Sequence, residues 1–150
     1  MKPFIVLIGV FAFSMLTTKI GFGQYDVPFS GRMALSAMFL FSAMGHFLFT
    51  KGMSLMIPPF VPFKIKIVYW TGILEIAFAI GLLISDYSIT SAWGVIIFLI
   101  MVLPVNIYAS IKQVDYQKAT YYGKGLSYLW FRIPLQLLYI TWTYIFFLKY

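Results

Sequence analysis

Cysteine is missing from the chain. That removes disulfides, thiol exchange and thiolate-held metals, so any redox role has to rest on a bound cofactor or a partner subunit. Histidine occurs once, at His46. One imidazole is too few for an ordinary haem or zinc site, no HExxH pattern is present, and no metal is expected. There is no glycine-rich phosphate loop and no internal repeat. Charge is scarce as well: 10% of the 150 residues are charged, against about 25% in a soluble domain. No polar face is large enough to coat a water-soluble globule.

What remains is apolar. Hydrophobic residues make up 62% of the chain, and 16 Phe, 11 Tyr and 4 Trp supply bulk for a lipid-facing surface and anchors for its edges. The net charge of +7 could suggest nucleic acid in a soluble protein. Here the basic residues lie between apolar runs, which is how membrane topology is encoded, and a nucleic-acid partner is not expected.

The chain divides into five apolar segments. Residues 4–20 form the first. A basic start and an apolar centre would fit a signal peptide, but no clear small-x-small cleavage pattern follows, which favours a retained helix. Gly21, Gly23, Pro28 and Gly31 then punctuate a loop, with Ser30 as a candidate helix cap. Segment two, 32–50, carries small residues at Ser36, Ala37, Ser42, Ala43 and Gly45 that permit close helix approach. Arg32 at its start can snorkel to the interface, and His46 lies about a turn from its end. Residues 51–66 hold Pro58, Pro59 and Pro62 among apolar residues, and read as an interfacial hairpin or a lid held by Lys51, Lys64 and Lys66.

Segment three, 67–84, is organised around Glu75. A carboxylate in mid-membrane needs a proton, a partner or a water-lined cavity. Gly72 and Ala79 share its side of the helix. In segment four, 91–111, Pro104 frees a backbone carbonyl one turn earlier, and Asn106 follows two residues later. Asn106 bonds either to that backbone or to another helix. Segment five, 129–149, places Arg132 and Gln136 four residues apart on one side. The fold class is therefore all-α: a polytopic transmembrane bundle in a single domain, 1–150, with a four-helix core and one additional N-terminal helix.

Five crossings put Lys2, Lys51, Lys64, Lys66, Lys112, Lys118 and Lys124 on one side. The positive-inside rule makes that side cytoplasmic, with the N-terminus there and the C-terminus outside. In this topology His46, Glu75, Asn106, Arg132 and Gln136 converge in the cytoplasmic half. Glu75 can be neutralised by Arg132 or by His46, with Asn106 and Gln136 completing the hydrogen bonds. Three roles stay open for this layer: a structural network that fixes helix register, a pocket for an apolar ligand such as a lipid or quinone, or a catalytic acid–base site in which Glu75 or His46 moves the proton.

These residues also carry a resemblance. Arg32 opening a helix, Gly45-His46-Phe47, IPPFVP at 57–62, TGILEIAFAIGLL at 71–83, LPVNIYA at 103–109 and RIPLQ at 132–136 are together similar to the DoxX-like family of small bacterial membrane proteins. The likeness covers about residues 32–149 and leaves the first helix outside. It implies a four-helix membrane core and only a loose function. Relatives in the wider superfamily include membrane subunits of a thiosulfate:quinone oxidoreductase, proteins associated with oxidative-stress enzymes, and receptor assembly factors. The family's recurring polar positions correspond to His46, Glu75, Asn106, Arg132 and Gln136. The resulting expectation is an accessory subunit of the bacterial inner membrane. It would bind a quinone or lipid, with no covalently bound cofactor, or a partner subunit, and a homo-oligomer stays open. His46 and Glu75 would meet the ligand headgroup. The alternatives are an autonomous enzyme using proton transfer on a lipid or isoprenoid, and an assembly factor with a purely structural network.

Overall fold

The structure is a computed structural model that describes residues 2–149. Six α-helices follow in order, with no β-strand among the described residues: α1 (Lys2–Phe22), α2 (Val27–Leu48), α3 (Thr50–Ser54), α4 (Lys64–Leu83), α5 (Ser88–Ile111) and α6 (Leu126–Thr143). A 3-10 turn, Ser85–Tyr87, joins α4 to α5, and a π-helical turn, Tyr144–Lys149, continues α6.

The longest helices begin earlier than the sequence suggests. α2 starts at Val27 rather than at residue 32. Its cap is Asp26, whose Oδ1 accepts from the Phe29 amide at 3.0 Å, and not Ser30, which is buried inside the helix. Pro28 lies in the first turn, where a missing N–H costs nothing. Gly31 is a packing site and no break, since a Cβ there would fall 2.3 Å from the Phe146 ring. Arg32, expected to snorkel, instead donates from Nε to the Phe146 carbonyl at 3.0 Å. A cation on the closing carbonyls of a helix is well placed electrostatically. α4, α5 and α6 likewise begin at Lys64, Ser88 and Leu126, three residues ahead of expectation in each case. The proline-bearing connection is not all irregular either, because α3 occupies its start.

α2 is the central element, packed along α1 on one side and α4 on the other, while α5 lies against α4 and α6. Leu7, Phe39, Leu82, Val95 and Tyr139 bring α1, α2, α4, α5 and α6 into one core. The outer faces are apolar too: Phe13, Ile20, Trp70, Ile97 and Met101 are all exposed. Such a surface suits hydrocarbon and not water. Five helices are long and apolar enough to cross a membrane: α1, α2, α4, α5 with its preceding turn, and α6 with its π-helical continuation.

The two long connections meet at one end. The Phe49 and Tyr116 rings lie 5.9 Å apart, and a Cβ on Gly52 would strike the Tyr116 carbonyl oxygen at 1.6 Å. Only glycine lets α3 rest on that backbone. The same contact half-buries Tyr116, and burial, with a smaller push from Tyr128, raises its phenol above the ordinary value of 10.0.

Candidate functional site

α4 carries Glu75 into the interior on the same face as Thr71, four residues earlier. α2 brings His46 against that face. The approach is close because Gly72 has no side chain: a Cβ there would sit 2.8 Å from His46 Cβ. The outcome is an ion-pair contact of 3.4 Å between His46 Nε2 and Glu75 Oε1, with the two side chains 16% and 6% exposed. Of the two partners the sequence allowed for Glu75, the structure uses the histidine. Arg132 has no carboxylate within 4 Å among the described residues; its guanidinium lies over the Tyr128 ring, 5.6 Å from the centroid.

The neighbours of His46 fix its proton. Nδ1 is 3.1 Å from the Val68 carbonyl, and a carbonyl only accepts. Nδ1 is also 3.0 Å from Thr71 Oγ1, whose own proton goes to the Val68 carbonyl at 2.8 Å. The assignment that satisfies all three contacts puts a proton on Nδ1. Nε2 then either bears a second proton facing a carboxylate, or accepts one from a carboxylic acid. At 3.4 Å the two atoms are in ion-pair range. The alternative, a bare lone pair against a buried carboxylate, is repulsive.

A second polar chain joins α5 to α6. Gln136 Nε2 donates to the Leu99 carbonyl, in a hydrogen bond one residue before the carbonyl that Pro104, lacking an N–H, leaves without its helical donor. With its nitrogen committed, Gln136 turns Oε1 toward Asn106 Nδ2, which donates to it at 3.2 Å. Asn106 thus bonds to another helix and not to the freed backbone. Its own Oδ1 is buried and has no partner among the described residues. Glu75 Oε2 and the Tyr139 hydroxyl are in the same condition.

These groups line one cavity of about 410 Å³ between α2, α4, α5 and α6. His46, Glu75, Asn106, Arg132 and Gln136 all stand in its wall, so the structure brings together every residue singled out from the sequence. Most of the remaining wall is apolar, from Met38, Phe39, Phe98 and Leu135 among others. Arg132 also borders a second cavity of about 510 Å³ at the end where Lys2 and Lys124 lie. Sequence reasoning alone does not single out Thr71, which orders the imidazole, or Tyr139, a lining phenol. Spacing offers one clue to the latter, since Tyr139 follows Gln136 by three residues and shares its face.

Residues 35–147 match a family model described as Domain of unknown function (DUF8561), and the chain belongs to that family. The matched region holds every lining residue named above except those of α1, which lies outside it. No curated protein and no solved structure matches the chain.

Proposed function

We propose that the protein crosses a membrane five times and binds an apolar molecule through a polar head. α2, α4, α5 and α6 form most of the binding core, and α1 packs on α2 and adds Lys2 and Pro3 to the cavity wall. The apolar outer faces support the membrane reading. Lysines at the end shared by the two long connections support a cytoplasmic placement of that end and of the N-terminus, in a bacterial inner membrane. Exposed Phe60, Phe63, Tyr122 and Trp130 at the same end suit the headgroup layer.

The observation that carries the binding reading is the cavity with three unpartnered polar groups. A purely structural network closes its hydrogen bonds, because an unmade bond in the interior costs about 1–3 kcal/mol. Here Glu75 Oε2, Asn106 Oδ1 and the Tyr139 hydroxyl are left over, each on a residue of the cavity wall. Apolar walls with a few convergent polar groups are the usual form of a small-molecule site. The resemblance to the DoxX-like family motivates a quinone or lipid as guest and a redox complex as host, with this chain as the accessory subunit.

Native mass spectrometry of the gently extracted full-length protein tests the binding reading. Wild type should retain a small hydrophobic adduct, and Val105→Phe, which fills the cavity from α5, should lose it. An adduct-free wild type, or an adduct equally retained by both, contradicts the proposal.

A further inference from the structure

The two cavities share part of their wall. Lys2, Met56, Tyr116, Gln117, Tyr128 and Arg132 line both, so the apolar space between the helices adjoins the space at the connection from α5 to α6. The charge there is one-sided. Lys2, Lys124 and Arg132 border the second cavity against Asp115, and Asp115 Oδ1 already accepts from the Gln117 and Lys118 amides at 3.1 and 3.2 Å. Arg132 is half-buried and meets neither a carboxylate nor a hydrogen-bond acceptor among the described residues. Its guanidinium rests on the Tyr128 ring, in the shared wall. Its charge also reaches Tyr116 in that wall: burial raises the phenol above 10.0, and Arg132 draws it partly back.

We infer that the guest is an anionic amphiphile, with an apolar chain between the helices and a carboxylate or phosphate head against Arg132. Such a head takes two parallel hydrogen bonds from one guanidinium, and Lys2 and Lys124 add positive charge at the same end. A neutral head would leave the Arg132 charge without a counterion. The polarity also suits the proposed placement in the membrane. The basic mouth lies at the connections, in the headgroup layer, and the apolar cavity leads inward from it. The inference rests on the cavity being a ligand site and adds the charge and the position of the head.

The test uses dodecyl phosphate, laurate and dodecanol, which share one chain length and differ in the head. Each is titrated at mildly alkaline pH into the full-length protein in nanodiscs of neutral lipid. Each affinity is corrected for that probe's partition into empty nanodiscs. The better anionic probe should bind about tenfold tighter than dodecanol or more, the gap expected of hydrogen bonds to a charged group. A stronger laurate identifies a carboxylate head, and a stronger dodecyl phosphate a phosphate head. Arg132→Gln should bring the ratio to dodecanol toward one. Lys124→Gln, at an exposed position, should lower it about twofold and serves if Arg132→Gln fails to fold. Lys19→Gln removes the same charge at the far end of α1 and should leave the ratio unchanged. Equal losses from the two lysine variants, or equal binding of all three probes that Val105→Phe abolishes, overturn the anionic head and leave the ligand site intact. No saturable binding of any probe overturns the ligand site and the inference with it.

Discussion

Gly72 and His46 touch backbone to side chain: the space where a glycine Cβ would be lies 2.8 Å from the histidine Cβ. This contact sets how near α2 comes to α4, and so whether His46 can reach Glu75 one turn further on. Without it the carboxyl would face the interior unpaired. The first prediction follows directly. Gly72→Val forces the helices apart and should lower unfolding stability in detergent by about 1–3 kcal/mol, the range for an overpacked interior. Probe affinity should fall with it.

The two members of the pair are unequal when removed. His46→Leu strands Glu75 in the interior and should cost about 3–5 kcal/mol while the carboxylate stays charged. Glu75→Gln keeps shape and a hydrogen-bonding group beside a neutral imidazole, so its stability should stay within about 1 kcal/mol of wild type. Chemical unfolding of the two variants at neutral pH checks the order. Equal losses would mean that the 3.4 Å contact has no part in neutralising Glu75.

Asn106 and Gln136 should behave as a unit. Gln136→Leu leaves the buried Asn106 amide without its partner and should cost about 1–3 kcal/mol. Adding Asn106→Leu should cost less than the two single losses combined, with a coupling of about 1 kcal/mol or more. Strict additivity in the double-mutant cycle would show that the bond contributes nothing.

Alkaline pH should weaken the end where the two connections meet. Tyr116 has a folded-state pKa raised by burial above its ordinary 10.0, so the folded form holds its proton longer than the unfolded chain does. Its contribution is complete below pH 10 and declines as pH rises through the folded value. The thermal midpoint should therefore drop above pH 10, and Tyr116→Phe should blunt that drop. Phenolate absorbance followed beside the midpoint separates this residue from the other tyrosines.

Much of this arrangement is legible in the amino-acid sequence. Glu75, Asn106 and Gln136 stand out because a polar side chain inside an apolar run has to find a partner. Helix periodicity and the basic connections are enough to put them at one depth. The choice of partner for Glu75 is not legible in the same way. Arg132 and His46 are equally close by their positions along the helices, and the decision lies in an interhelical approach set by Gly72. Tyr139 passes unnoticed because tyrosines are common near membrane edges, and Thr71 because a helical threonine ordinarily satisfies its own hydroxyl on a preceding carbonyl. The start of α2 is misjudged for a related reason. Pro28 and Gly31 look like breaks in the sequence, yet one occupies a first turn and the other makes room for Phe146.

The most direct measurement is an experimental density map of the full-length protein in a lipid nanodisc, at a resolution that shows ordered small molecules. Continuous non-protein density should fill the space between α2, α4, α5 and α6, with its polar end within about 3 Å of the Arg132 guanidinium. A cavity that is collapsed, or that holds only separate waters bridging the polar side chains of its wall, would contradict the account.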